Sequence, residues 1–281
     1  MPVQLGIFAV PDATDPHTTV ETILAADRAG LDVVGVQDHP YQRRFFDTWT
    51  LLSYVAGRTE RIRLVPDVIN LPLRPPAVLA KSAASLDVLS SGRVELGVGA
   101  GSFWDAVVAM GGPRRTPGES VEALEEAIAV LRAFWSGERT LDVVGAHYRV
   151  KGARPGPPPA HPIGIWVGAY GPRMLRLTGR LADGWLPSIG PKYLSPEDAP
   201  RMHAAIDDAA RAAGRDPGDV ARIANVMALD GPPGSWAGEL ARIAGDLRFD
   251  TLLVGVPGED PVGFVRRLGE DVAPRLRDQV A

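Results

Sequence analysis

The sequence predicts a single (β/α)8 TIM barrel of the α/β class over residues 1–281, with a short hairpin inserted after the fourth helix. Three observations lead there. Eight short apolar runs with strand character each precede a helical pattern, and no break in composition divides the chain. Parallel strands require helical crossovers, and eight β/α units are the count of the closed barrel. The rival, an open doubly wound sheet, would carry a glycine fingerprint after its first strand, where this chain offers only Val10-Pro11-Asp12-Ala13-Thr14.

Residues 3–10 read as the first strand. Residues 18–29 read as a helix with Val20, Ile23, Leu24 and Ala26 on one stripe and Gly30 at its stop. Residues 31–36 form the second strand, ending in Gln37-Asp38-His39-Pro40, and residues 48–58 the helix after it. Residues 62–69 are strand three. Pro75-Pro76 then opens a helix with Leu79, Ala83, Leu86 and Leu89 on one face, proline being suited to a first turn. Strand four, residues 93–101, is apolar at Val94, Leu96 and Val98 and bare at Gly97, Gly99 and Gly101, so another group can approach its main chain. Thr116-Pro117-Gly118-Glu119 is a capping-box start for a long helix carrying Val121, Leu124, Ile128, Leu131 and Trp135. Residues 140–150 alternate around Gly145 as a hairpin, and the proline-rich residues 154–162 make a stiff crossover. Strand five spans residues 163–167 and strand six residues 184–187, with a helix at 173–181 between them. A helix at 196–213, strand seven at 220–228, a helix at 236–247, strand eight at 251–256 and a last helix opening at 261–268 complete the series.

Composition narrows the function. With a formal net charge of −4, the chain gives no electrostatic reason to expect nucleic acid or an anionic membrane as partner. The absence of cysteine excludes disulfides, thiolate nucleophiles and cysteine-ligated metal, and suits a cytoplasmic location. The first ten residues read as a strand and not a signal peptide, and no apolar run approaches membrane-spanning length. Neither H-x-H nor H-E-x-x-H occurs, so no metal site is expected, and there is no G-x-S-x-G nucleophile elbow.

In a barrel, function belongs at the carboxyl ends of the strands. His39 follows strand two, Asn70 follows strand three, and glycine-rich turns end strands four and five. Gly168-Ala169-Tyr170-Gly171-Pro172 leads straight into a helix, which is either an anion site on free N–H groups or a tight turn needing glycine. Gly97, Gly99 and Gly101 either receive a ligand or let backbone pack closely. His39 is either an acid–base group near neutral pH or a histidine satisfied within its turn. With few polar side chains at this end, difficult chemistry would fall to a cofactor.

Taken together, Gln37-Asp38-His39-Pro40-Tyr41, P-D-V-I-N-L-P-L-R-P-P-A-V-L-A-K from Pro66, L-D-V-L-S-S-G-R-V-E-L-G-V-G-A-G from Leu86 and W-V-G-A-Y-G-P-R-M-L-R-L-T-G-R-L-A-D-G-W from Trp166 closely resemble the bacterial luciferase-like oxidoreductases. That superfamily includes enzymes using the deazaflavin coenzyme F-420, and the resemblance covers nearly the whole chain. It implies a luciferase-like barrel moving a hydride between F-420 and a small organic substrate. The alternatives are an FMN-dependent monooxygenase working with a separate reductase, and a flavin-binding protein without turnover. It implies that Asp38 and His39 meet the reactive edge of the ring, with His39 catalytic. It implies a non-proline cis peptide near Val68–Ile69, between Asp67 and Asn70, behind the ring. Cofactor tail groups would rest on Gly99, Ala100 and Gly101 and on Val167, Gly168, Ala169, Tyr170, Gly171, Pro172 and Arg173. Two departures bear on substrate and cofactor. Ser102 stands where deazaflavin sugar-phosphate dehydrogenases have a glutamate, and Asp38-His39-Pro40 replaces the luciferases' E-H-H, which favours F-420 over FMN. Phe45, Phe46, Phe103 and Trp104 either line a substrate pocket or serve core and dimer contacts. A homodimer is expected by analogy.

Overall fold

Strand periodicity decides which side chains meet on the axis of a barrel. The computed structural model describes residues 3–190 and 193–280. Its strands are β1 Gln4–Ala9, β2 Val33–Val36, β3 Arg63–Pro66, β4 Ile69–Asn70, β5 Leu96–Gly99, β6 Leu141–Val144, β7 Arg149–Ala153, β8 Ile165–Val167, β9 Gly184–Trp185, β10 Ser188–Ile189, β11 Ala221–Val226 and β12 Thr251–Gly255. Its α-helices are α1 Pro16–Arg28, α2 Thr48–Ala56, α3 Pro76–Leu89, α4 Trp104–Ala109, α5 Pro117–Trp135, α6 Pro172–Leu181, α7 Ala199–Ala212, α8 Trp236–Asp246, α9 Pro261–Arg267 and α10 Ala273–Val280.

The wall runs β3-β2-β1-β12-β11-β9-β8-β5-β4, all parallel, with β10 alongside β11. Leu64 in β3 closes the ring: its N–H donates to Arg93 O at 2.8 Å, and its carbonyl accepts from Glu95 N at 3.1 Å. Two apolar layers follow from the pleat. Phe8, Val33, Val65, Trp166, Leu186, Ile223 and Leu253, from different strands, form an inner cluster on the barrel axis. Their chain neighbours Ile7, Val34, Leu64, Ile165, Trp185, Ala224 and Leu252 belong to the larger cluster between wall and helices.

Most elements stand where the sequence put them, including the capping box, in which Thr116 Oγ1 accepts from Glu119 N at 3.3 Å and Glu119 Oε2 from Thr116 N at 2.7 Å. The differences have local causes. Strand three is two pieces, β3 and β4, parted by a cis bond at Asp67–Val68, one bond earlier than expected. Strand six also divides: β9 pairs with both β8 and β11, β10 keeps only β11, and between them stands Pro187, which has no N–H to offer. The hairpin β6–β7 reaches Ala153, further than its alternation suggested. The last helix continues through a π-helical turn at Leu268–Val272 into α10. Short α4 was not anticipated. No helix among the described residues is long and apolar enough to cross a membrane.

The amino-terminal end of the barrel is held by satisfied polar groups. Asp87, fully buried, accepts from Val94 N, Ala160 N, His161 N and His161 Nδ1 at 2.8–3.2 Å, tying the proline-rich crossover to α3 and β5. His203 donates from Nε2 to Leu247 O at 2.8 Å and accepts from Arg222 Nε at 3.0 Å, while Arg222 also pairs with Asp207. Burial, seconded by the Arg222 charge, drives His203 down to about 4, so it is a neutral packing group. A hollow of ≈ 690 Å³ opens here among Asp207, Arg222, Arg248 and Asp250. Its buried ionic groups are paired with one another, and it lies at the end of the barrel opposite the strand carboxyl termini.

Candidate functional site

At the carboxyl end a cavity of ≈ 470 Å³ gathers residues from the ends of β1, β2, β4, β5, β8, β10 and β11. It is the right size for a small ligand or ring. Three buried polar atoms on its wall have no hydrogen-bond partner among the described residues: Asp67 Oδ2, Asn70 Oδ1 and Asn225 Oδ1. Buried polar groups are normally paired, so this concentration marks a place prepared for something polar.

His39 sits on the loop after β2. Its ring stacks on Tyr41 at 5.4 Å between centroids and meets Phe103 edge-on at 5.5 Å. Gln37 Nε2 lies 3.5 Å from its Nδ1 and can only donate, which leaves Nε2 for a ligand. Burial lowers its pKa, outweighing the opposing charge of Asp38, so the ring is neutral near pH 7.

Asp38 lines the same wall, yet its oxygens are committed. Oδ2 accepts from Asn70 N at 2.9 Å and Arg74 Nε at 3.1 Å, and Oδ1 accepts from Arg74 Nη2 at 2.8 Å. Arg74 also reaches Asp47, the N-cap of α2, at 2.6 Å. Burial opposes the guanidinium charge, but the two carboxylates outweigh it and raise its pKa. This bolt joins the β2 loop to β4 and fixes where His39 stands.

The Asp67–Val68 bend places Val68 inside the ring of strands. Its methyl groups occupy the room left by glycines: a Cβ on Gly99 would lie 2.8 Å from Val68 Cγ2, and one on Gly168 3.4 Å from it. Gly97 and Gly99 thus make room for Val68, which forms a floor, and Gly99 itself lines the cavity. Gly101, at φ +103, turns the chain back, and Phe103 follows in the left-handed region at φ 55, largely exposed beside His39. On the far side, Gly171 caps α6 with open space where a Cβ would stand and no side-chain cap on the first-turn N–H groups. Tyr170 Oη accepts from Ser188 N at 2.8 Å and steadies that wall.

Of the residues singled out from sequence, Asp38, His39, Asp67, Val68, Ile69, Asn70, Gly99, Ala100, Gly101, Gly168, Tyr170 and Gly171 line this one cavity. Val167, Ala169, Pro172 and Arg173 do not. Val167 has the wrong parity and packs outward under the helices, and Ala169 is buried with its carbonyl taken by Trp185 Nε1 at 2.9 Å. Pro172 is the first residue of α6, and Arg173 turns outward to Glu122 at 3.4 Å. Of the aromatics, Phe103 lines the cavity, while Phe45, Phe46 and Trp104 lie outside it.

Sequence reading did not pick out Phe8, Gln37, Met174, Leu186, Ser188, Tyr193, Asn225 or Met227, which also line the wall. One signal was available: Asn225 is the single amide in the apolar run of strand seven, two residues beyond inward-facing Ile223.

Residues 3–257 match the family model described as luciferase-like monooxygenase. An F420-dependent glucose-6-phosphate dehydrogenase from Microbacterium testaceum is 27% identical, the match covering 100% of this chain and 99% of that protein. That alignment runs over 341 positions against 281 residues here, so the relative carries inserted segments. A phthiodiolone/phenolphthiodiolone dimycocerosates ketoreductase from Mycobacterium kansasii is 32% identical over 246 residues, covering 83% of this chain and 64% of that one. Among solved structures, an F420-dependent secondary alcohol dehydrogenase in complex with an F420-acetone adduct superposes with a TM-score of 0.83 at 19% identity, covering 98% and 99% of the two chains. It attests the fold.

Proposed function

The chain belongs to the luciferase-like monooxygenase family, and on that premise we propose that it is an F-420-dependent oxidoreductase acting on a small organic substrate at the carboxyl end of its barrel. One observation supports this above the others: a neutral His39 shares a ring-sized cavity with the Val68 floor and the open Gly171 wall. The residues suit a flat, partly polar ring. Val68 offers an apolar surface, and Asp67, Asn70 and Asn225 bring unpaired oxygens to the same space. When bound, the deazaflavin supplies the hydride donor or acceptor.

The chain's own residues do the rest. Asp38 and Arg74 fix the loop that carries His39. With Nδ1 facing Gln37, His39 Nε2 polarises the reacting oxygen or exchanges its proton. Phe8, Phe103, Met174 and Met227 make much of the remaining wall apolar, which suits an uncharged organic substrate and keeps water away. The names of the relatives describe alcohol–carbonyl interconversions, and we take that couple as the reaction class. Ser102 lines the cavity where a glutamate would mark a sugar-phosphate enzyme, so a simple alcohol or ketone suits this site better. Association into a homodimer through α2 and α3 fits their outward Tyr54, Val78 and Leu89, the last 81% exposed.

A side-by-side fluorescence titration of the purified protein with F-420 and FMN tests the cofactor assignment. Tighter binding of F-420 is expected. A preference for FMN would move the chain to the monooxygenases that work with a separate reductase, and failure to bind either ring would remove the cofactor reading of the cavity.

A further inference from the structure

Asp67 is a carboxyl group on the inner face of the barrel, two residues beyond Val65 of the inner cluster. Its place is made by β2, where Gly35 has no side chain: a Cβ there would lie 2.7 Å from Asp67 Oδ2. The group is 5% exposed. Among the described residues it receives one hydrogen bond, from Asn225 Nδ2 to Oδ1 at 3.1 Å, and Oδ2 receives none. The same amide also reaches Ser188 Oγ at 3.4 Å, which sets its orientation.

Among the described residues, no cation answers this carboxyl. Arg74 is committed to Asp38 and Asp47, and Arg222 to Asp207 and His203 at the amino-terminal end. The packed neighbours on β1, β2 and β12 are Phe8, Gly35 and Leu253, all uncharged. The ionisable side chains sharing the cavity among the described residues are His39, Tyr170 and Tyr193, with Asp38 locked in its ion pair. An unpaired buried carboxylate is costly and protonates instead. As a carboxylate it would also leave Asp67 Oδ2, Asn70 Oδ1 and Asn225 Oδ1 as three acceptors with no donor among them.

We infer that Asp67, oriented by Asn225, serves as a neutral carboxylic acid in the cavity and that the Asp67 Oδ2–H donates a hydrogen bond to an acceptor atom of the bound heteroaromatic ring. This rests on the flavin-type reading of the cavity. Burial, opposed by the Asn225 hydrogen bond, raises the Asp67 pKa to about 7, so the acid form is present in neutral solution and lost above it. A ligand that needs this proton binds the acid form, and binding in turn holds the proton on, since the two equilibria are linked.

The test follows the dissociation constants of F-420 and FMN from pH 6 to pH 9 for wild type and Asp67→Asn. Alongside it, the Asp67 carboxyl is titrated by carbon-13 NMR with and without ring. Wild-type affinity is expected to be level on the acid side and to weaken by about tenfold per pH unit above the midpoint. Asp67→Asn, which keeps an N–H donor in the same place, should bind within a few-fold of wild type at pH 6 and lose the pH dependence. The ring should move the carboxyl midpoint upward. A midpoint in the ordinary carboxylate range, or one the ring leaves unmoved, overturns the inference, and the wild-type NMR decides this even if the variant fails to fold. Binding with the same profile in both proteins overturns it alone. Binding of neither ring at any pH overturns the cavity reading as well.

Discussion

Replacing His39 with alanine is expected to lower turnover by about 10²–10⁴-fold while leaving the affinity for F-420 within a few-fold of wild type. The histidine has the geometry of an acid–base group and little of a structural one. Its ring makes face and edge contacts with Tyr41 and Phe103, and its polar contact is the 3.5 Å approach of Gln37. Burial lowers its pKa from the usual 6.5, so it stays neutral as the pH falls from 8 toward that value. With F-420 kept saturating, turnover should therefore hold level across this range and decline only further into acid, where the imidazolium forms. Steady-state kinetics beside a binding titration checks both halves. Equal losses in turnover and binding would make His39 a binding group only, and loss of neither would remove it from the site.

Asp38→Ala is expected to destabilise the protein by about 3–5 kcal/mol, the usual cost of leaving one partner of a buried ion pair alone. The Asp38 side chain is fully buried and that of Arg74 is 20% exposed, so solvent screens the pair only weakly. Its removal also strands the Asn70 N–H that ends β4. Asp38→Asn should lose less, because an amide oxygen still accepts from Asn70 while Asp47 keeps Arg74 engaged. Denaturant unfolding with an unchanged m-value reads this out directly. A normal midpoint combined with weakened F-420 binding would reverse the assignment and make Asp38 a ring contact, the role that the family resemblance gives it.

The barrel was legible because its strands are short, apolar and separated by helices with clear starts, as at Thr116 and Pro75-Pro76. The two misplaced strands show the limit. Residues 62–69 are apolar but for Arg63 and Asp67, and residues 184–187 carry no polar side chain; such runs say nothing about a bend or the loss of a pairing partner inside them. The site was half legible for a related reason. Contiguous segments such as Asp38-His39 and Gly168-Ala169-Tyr170-Gly171 stand out by themselves. Phe8, Leu186 with Ser188, and Asn225 come from three separate stretches of chain and meet only when the sheet closes. Parity also sorts neighbours that a motif treats as one unit: Val167 faces the helices while Gly168 faces the cavity. And Asp38, conspicuous beside His39, proves to be engaged by Arg74 from 36 residues away, which no local pattern could reveal.

The most direct measurement is anaerobic turnover of F-420 by the purified protein with a panel of small secondary alcohols and the matching ketones. Substrate-dependent, oxygen-independent interconversion of oxidised and reduced F-420, lost in His39→Ala, is the predicted result. Oxygen consumption with reduced FMN and no reaction of F-420, or tight F-420 binding with no turnover across the panel, would contradict it.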